Sequence, residues 1–530
     1  MPSSLGYSPL KIAHYLHWLV NRRSSASKYD SRSEMPKLKD VPSLYSLAID
    51  VLEDEFVQFV KEELCLQSDE DQLFCIYSPE IFSSYVEMVK SLVLTNVPVV
   101  ARQDLLDHIL KKMDMSSTVR YAAVEILYES DCKRFIPGTF PQSYHPMILS
   151  KVISECQSLK FIDLTYFWVR GTDKRYLSQL FSNARNLTSI VIPQICDDAL
   201  LSVIGKCCSN VSFLDIQNSV NVTETGIDNL IFSDNGSVNS ICMSLVVFKI
   251  GGPRLTAISP SKMTFLLKFA PFLSNLGPYA YCGRLLGIMN EDLKHQPTNL
   301  YYVHDTYTTD NQMIAIEKMA PQLKGVYFDT PSDEAVSHLS LFKGLMKLKI
   351  RKAFWIDIFV PALQMENLQI LELINIHGNI DLAHIGKFWH LQKLVIYHCD
   401  RLVSSDFTYH FKNLNFLEIY YTEYFDNVLL HILTHSQNLE HLSLGYFGTI
   451  SDEELIPILS FDKLINLEKL WIARAEFLSW MSVAAILDYC PKLKSIGRME
   501  NWNLTKGELE KFGEMARFSN WDLLFWEFFS

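Results

Sequence analysis

No run of eighteen consecutive apolar residues occurs in the 530-residue chain, so no segment reads as a membrane-spanning helix. The N-terminus lacks an uninterrupted apolar stretch ahead of a small-residue cleavage site, and secretion is not expected. The eleven cysteines are odd in number, scattered from Cys65 to Cys490, and include no C-x-x-C pair. That excludes a zinc ribbon or a dithiol redox motif and reads as reduced thiols in a cytoplasmic or nuclear protein. The N-x-S/T sites at Asn186, Asn210, Asn221, Asn235 and Asn503 then read as by-products of composition. Positive charge is short, with 48 Lys and Arg against 60 Asp and Glu and a net charge of −12. A chain of that balance has no general affinity for nucleic acid, which requires a basic face to displace counterions from phosphates. Walker loops, G-x-G-x-x-G segments and G-x-S-x-G elbows are all missing. Eight of the fifteen histidines fall between His377 and His441, but only His431 and His435 lie four apart on an expected helix. Ile432 follows the first of them, so the H-E-x-x-H pattern is absent. No catalytic residue, metal ligand or cofactor is assigned, and an enzyme is not expected.

What the sequence does contain is repetition. Residues 391 to 402, LQKLVIYHCDRL, place Leu391, Leu394, Ile396, Cys399 and Leu402 in the L-x-x-L-x-L-x-x-C-x-L pattern. Similar segments open at Leu159, Leu187, Val211, Leu245, Leu300, Leu323, Leu345, Leu368, Leu391, Leu414, Leu439, Leu467 and Leu493. From Leu300 to Leu414 the steps are 23, 22, 23, 23 and 23 residues. A period in the twenties predicts an α/β leucine-rich repeat solenoid, a curved parallel sheet with helices or turns on its convex side. Each repeat supplies one short strand whose first, fourth and sixth places point inward. Neighbours must stack, because a single repeat cannot bury its apolar face alone. Cys399 then fills the turn after its strand, as Ser219 and Phe447 do elsewhere.

Four stretches follow along the chain. Residues 1–35 hold IAHYLHWLV and then NRRSSASKYDSRSE, polar enough to favour a disordered, dispensable tail. Residues 36–86 read as helical. Leu44, Leu47, Ala48, Val51 and Leu52 recur at helical spacing, and Ser78, Pro79 and Glu80 form a second start signal ahead of Ile81, Phe82, Tyr85, Val86 and Val89. The repeats are expected over residues 87–500, beginning with degenerate strands at Val89, Leu92, Leu94 and at Ala123, Ile126, Tyr128. They are interrupted by an irregular stretch around 251–299, where Gly251, Gly252 and Pro253 break the pattern. Residues 501–530 open as a helix expected to cap the last edge of the array.

Ser43, Leu44, Ala48 and Leu52 match the BC box, the elongin C binding pattern of a small residue or proline, leucine, three spacers, a small residue, three spacers and an apolar residue. With leucine-rich repeats after it, the chain resembles the zyg eleven and Zer family of substrate receptors in elongin-containing cullin–RING ubiquitin ligases. The likeness covers roughly residues 41 to 500 and not the armadillo-like half of those receptors. It implies elongin B/C and a cullin as partners, with Ser43, Leu44, Ala48 and Leu52 on the adaptor and Pro79 and Phe82 at the cullin box. Ser78 stands where that box has an apolar residue, which leaves the cullin open. An F-box receptor would show a Leu-Pro start and a late tryptophan, and residues 36–90 contain neither. A repeat scaffold with no ligase link is the other alternative.

The strand places that do not point inward face the concave side. There the register puts Lys347, Lys349 and Arg351 on one strand, Glu372 on the next, then Lys393 and Tyr397. Phe416, Glu418 and Tyr420 follow, and further on His441, Lys469 and Trp471. Aromatic residues and arginine carry much of the energy at protein interfaces, so Lys347, Lys349, Arg351, Lys393, Tyr397, Phe416, Tyr420 and Trp471 are the candidate partner-binding residues. The identity of the protein substrate is not written in the sequence.

Overall fold

The computed structural model describes residues 43–63, 79–112, 114–169, 171–252, 258–292, 296–362, 364–424, 426–445, 450–460, 464–473, 475–497, 499–518 and 524–526. The tail expected over 1–35, the start signal at Ser78, and Phe447 lie outside them. The described residues divide into two compact units, one ending at Tyr279 and the other beginning at Ala280.

The first unit opens with four helices, α1 (Leu44–Glu63), α2 (Pro79–Asn96), α3 (Val99–Lys111) and α4 (Ser117–Leu127). Residues 89–94 and 123–128, expected as degenerate strands, are therefore helical, apart from Tyr128 just past the end of α4. The reason is that a leucine every third or fourth place satisfies both templates. Here Phe82, Val86 and Val89 bury one helical face, and Val119, Ala122, Ala123 and Ile126 bury another. Ser116 caps α4 by accepting the Val119 N–H at 3.3 Å. Arg120, buried on α4, donates to the carbonyls of Leu110, Pro137 and Thr139 and lies over the Phe140 ring at 4.4 Å. It ties the end of α3 to the loop after the first strand.

The first described strand is thus β1 (Arg134–Phe135), well after residue 87. It pairs in parallel with β2 (Phe161–Asp163), and β3 (Ser189–Val191), β4 (Phe213–Asp215) and β5 (Val247–Lys249) follow in order. Helices His145–Ser154, Lys174–Asn183, Asp198–Cys207 and Glu224–Ile231 return the chain between them. Among the described residues, the irregular stretch expected around 251–299 holds two helices, Pro260–Phe269 and Cys282–Glu291, and makes isolated bridges from Asn275 to Val247 and from Tyr281 to Asp305.

The second unit carries the regular repeats. Its main sheet is parallel in the order β6 (Tyr302–Thr306), β7 (Gly325–Asp329), β8 (Lys347–Arg351), β9 (Ile370–Ile374), β11 (Lys393–Tyr397), β13 (Phe416–Tyr420), β15 (His441–Gly445), β16 (Lys469–Ile472), β17 (Ser495–Gly497) and β18 (Leu524–Trp526). A second parallel sheet, β10 (Asn379–Asp381), β12 (Arg401–Val403) and β14 (Glu423–Tyr424), opens the return segments of three repeats, and the expected helix follows in two of them, Leu382–Ile385 and Asp426–Thr434. At the far end the chain adds both a helix, Lys506–Phe518, and strand β18 beside β17. The last edge is extended by a strand rather than closed by a helix alone.

Within each repeat the leucine pattern works as its spacing requires, with Leu391, Leu394, Ile396 and Leu402 buried. The main strands β6, β7, β8, β9, β11 and β13 are each followed by a residue with left-handed backbone, Tyr307, Thr330, Lys352, Asn375, His398 and Tyr421, with φ from 51° to 57°. That conformation aims each N–H at the neighbouring strand, as Thr330 N does at Arg351 O (2.8 Å) and Lys352 N at Ile374 O (3.0 Å). One place on, Cys399 donates its N–H to Thr422 Oγ1 at 3.1 Å while its sulfur accepts from Ile376 N at 3.5 Å. Cys196 N and Ser219 Oγ repeat that contact at 3.2 Å. Just before the opening leucine, Asn186, Asn210, Asn413, Asn438 and Asn466 each donate a side-chain N–H to a carbonyl of the preceding repeat at 2.7 to 3.3 Å. Asn186 and Asn210 of the N-x-S/T sites are therefore structural.

Candidate functional site

Two surfaces collect the candidate residues. The first is α1. Ser43 caps it, its Oγ accepting the Ser46 N–H at 3.0 Å and its carbonyl the Leu47 N–H at 2.9 Å. The inward face is Ala48, Ile49, Glu53, Phe56 and Val60. The Glu53 carboxylate is satisfied by Lys112 Nζ at 2.6 Å and faces His108 Nε2 at 3.0 Å, and Asp50 Oδ1 approaches the same ring nitrogen at 3.5 Å. Asp50, Glu53 and His108 are close enough to surround a cation, but the lysine ammonium already supplies the positive charge there. Tyr45 extends over the same neighbour, its hydroxyl donating to Asp104 Oδ2 at 2.7 Å.

The helix does not present a single apolar stripe inward, as the spacing of Leu44, Leu47, Ala48, Val51 and Leu52 implied. Leu47 is 40% exposed and Val51 46%, while Ala48 is buried at 9% and Leu52 is half-buried. The side chains of Leu44 and Pro79 lie outside the described ones. Phe82, expected at a cullin contact, sits in the core instead, stacked on Tyr121 with ring centroids 5.5 Å apart and planes 15° from parallel. Its place on the same helical face as Val86 and Val89 draws it there. Among the described side chains of α2, Ser83, Ser84, Glu87, Met88, Ser91, Leu94, Thr95 and Asn96 are exposed.

The second surface is the open face of the second unit's main sheet, where the strand register brings the remaining candidates together. One row runs Lys347, Ile370, Lys393, Phe416, His441, Lys469, the next Lys349, Glu372, Val395, Glu418, Ser443, Trp471, and the third Arg351, Ile374, Tyr397, Tyr420, Gly445. Glu372 is the hub. It is buried at 9% exposure, with Lys347 and Lys393 at 3.6 and 3.4 Å from one oxygen and Lys349 at 3.4 Å from the other. Burial pushes its carboxyl up, and Lys347, Lys349 and Lys393 together outweigh that and hold it below the usual glutamate range. Arg351 pairs instead with Asp329 at 2.9 Å.

Rings hold the lysines in place. Lys349 Nζ lies 4.7 Å from the Tyr327 centroid and Lys393 Nζ 4.5 Å from that of Phe416. Phe416 stacks on His441 at 4.1 Å, and His441 Nε2 reaches Glu418 Oε1 at 3.2 Å. Tyr397 is exposed beside Tyr420, with centroids 6.3 Å apart, and the Tyr420 hydroxyl is hydrogen-bonded to Ser443. Trp471 lies against Gly497, where a Cβ would approach its Nε1 to 3.2 Å. Sequence reasoning placed Glu372 in the register but missed its role as the common partner of three lysines, and it missed Tyr327. Both follow from pairing adjacent strands, which a single repeat does not display.

Away from these surfaces, His431 and His435 are engaged in structure. His431 and His435 stack at 4.1 Å, His431 Nε2 meets Tyr409 O at 3.2 Å, and His435 Nδ1 meets His431 O at 2.9 Å. No helix among the described residues is long and apolar enough to cross a membrane.

No protein-family model matches the chain, and no curated protein matches it either. Solved structures to which it is similar include the yeast Rad7–Elc1 complex, at 13% identity and a TM-score of 0.42, covering 88% of this chain and 96% of that one. An internalin of Listeria monocytogenes (13% identity, TM-score 0.30, 80% and 94% covered) is another. A leucine-rich repeat protein of Leptospira interrogans (14%, 0.31, 77% and 92%) is a third. At these scores the likeness carries nothing about function.

Proposed function

We propose that this leucine-rich repeat protein is a non-catalytic, substrate-recruiting subunit of a cullin–RING ubiquitin ligase. In this reading α1 engages the elongin B/C adaptor and the open face of the second unit holds the protein to be modified. The observation that carries the reading is the outward apolar edge of α1. Leu47 and Val51 stand three and seven places after Leu44, on a helix whose opposite face is already buried, and both are close to half exposed. Large aliphatic groups held out on an otherwise packed helix fit a partner that covers them, and the BC-box pattern at Ser43 and Leu44 names the class of partner.

The test is Leu44→Ala, measured for both folding and capture. Losing a leucine from a filled interface pocket costs about 2 to 4 kcal/mol, roughly 30- to 1,000-fold in affinity for purified elongin B/C. The thermal midpoint should stay nearly unchanged. A variant that melts much earlier, or one that holds elongin at full strength, overturns the adaptor assignment. A second reading, a repeat scaffold with no ligase link, is favoured by the burial of Ala48 and Phe82 in the protein's own core. That reading predicts no elongin binding by the wild type at all.

A further inference from the structure

The open face of the second unit is charged against the trend of the chain. Between β8 and β16 it carries Lys347, Lys349, Lys393 and Lys469, with Arg351 paired to Asp329 of β7, against only Glu372 and Glu418, in a protein whose net charge is −12. The central three lysines share one carboxylate at 3.4 to 3.6 Å, longer than a tight charge-assisted hydrogen bond. Each ammonium has three N–H donors, so one buried glutamate leaves most of them unused. Nor do these chains extend into solvent, since two lie over the rings of Tyr327 and Phe416 and all three are about one-third exposed. Positive charge is therefore held in place before any partner arrives, and the entropy of ordering long side chains is largely spent in advance.

We propose that this face takes an acidic segment of the partner protein, its carboxylates bridging Lys347, Lys349 and Lys393 above Glu372 and its apolar side chains lying on Tyr397 and Tyr420. The proposal rests on the reading of this face as the substrate surface and names the class of segment recognised. Lys347 and Lys393 are two strand steps apart, about 10 Å. That is also the reach of three residues of extended chain, so acidic groups at every third place fit the row. The spread of positive charge along the row to Lys469 favours several carboxylates over one phosphate, and the buried Glu372 charge disfavours a doubly charged group set directly on it.

Panning a random library of 12-residue peptides on the full-length protein tests the proposal. Selected peptides should be enriched in Asp and Glu and bind in fluorescence anisotropy with an affinity that falls as salt is raised. The triple variant Lys347→Met, Lys349→Met, Lys393→Met should weaken them at least tenfold. Glu372→Gln should tighten them severalfold, because it removes the competing carboxylate. A purely structural ion network predicts no gain from Glu372→Gln. Circular dichroism and thermal melts monitor folding, and Lys349→Met alone with Glu372→Gln decides the matter if the triple variant does not fold. Peptides without acidic enrichment, peptides that the lysine variants hold unchanged, weaker binding by Glu372→Gln, or binding only after phosphorylation would each overturn the proposal. Elongin capture through α1 is read in a separate assay, so the failure of one reading is distinguishable from that of the other.

Discussion

At the scale of single residues, the repeat imposes local costs that its neighbours offset. Left-handed backbone costs a residue with a Cβ about 1 to 2 kcal/mol, and a β-branched side chain suffers most. Thr330, with φ of 56°, accepts that cost because its N–H reaches Arg351 O across the sheet. Asparagine tolerates the same conformation, and it already stands at the equivalent place in Asn375. Thr330→Asn should therefore stabilise the protein by about 0.5 to 1 kcal/mol, read as a higher midpoint in urea. An unchanged or lower midpoint would mean that the contact of the Thr330 hydroxyl with Asp329 at 3.0 Å outweighs the relief. The asparagines before the opening leucines are less costly devices, each donating to a carbonyl that would otherwise face water alone.

At the scale of elements, Asp305 joins β6 to the start of helix Cys282–Glu291. It is fully buried, accepts the Gly283 N–H at 2.6 Å and the Thr308 hydroxyl at 2.7 Å, and leaves no room for a Cβ at Gly283, which would meet its Oδ2 at 2.4 Å. Burial raises its carboxyl to about 6 although both hydrogen bonds pull the other way. Between pH 4 and 6, approximately, the folded protein then binds a proton that the unfolded chain has lost. Stability from this group falls as pH rises through that window, by at most about 3 kcal/mol. Asp305→Asn keeps an acceptor for Gly283 and does not titrate, so urea melts of the variant should lose that part of the slope. An identical slope in both proteins would show that Asp305 does not titrate there. Glu372 has the opposite sign, its lowered carboxyl adding stability at neutral pH that is lost as pH falls through the folded value.

At the scale of the whole molecule, a stacked array transmits damage mainly to its nearest repeats. Leu394 is fully buried in β11, and Leu394→Ala removes a side chain worth about 2 to 5 kcal/mol. Hydrogen exchange should speed up most in β9, β11 and β13 and least in β6 and β17 of the same sheet. Uniform loss of protection across that sheet would mark it as one cooperative block. The sequence by itself determined the repeat architecture, because a leucine pattern that recurs every 22 or 23 residues from Leu300 to Leu414 buries its apolar face only by stacking. It also determined which side chains of Lys347, Lys393, Phe416 and Trp471 share the open face, since alternation along a strand has a strict period of two. Only the tertiary structure decided the outward turn of Leu47 and Val51, the burial of Ala48 and Phe82, the helices where strands were expected before β1, and the gathering of three lysines on Glu372. A spacing of three or four residues is shared by helix and repeat and does not say which face meets a neighbour. A contact between side chains some twenty residues apart exists only once adjacent strands have taken their register.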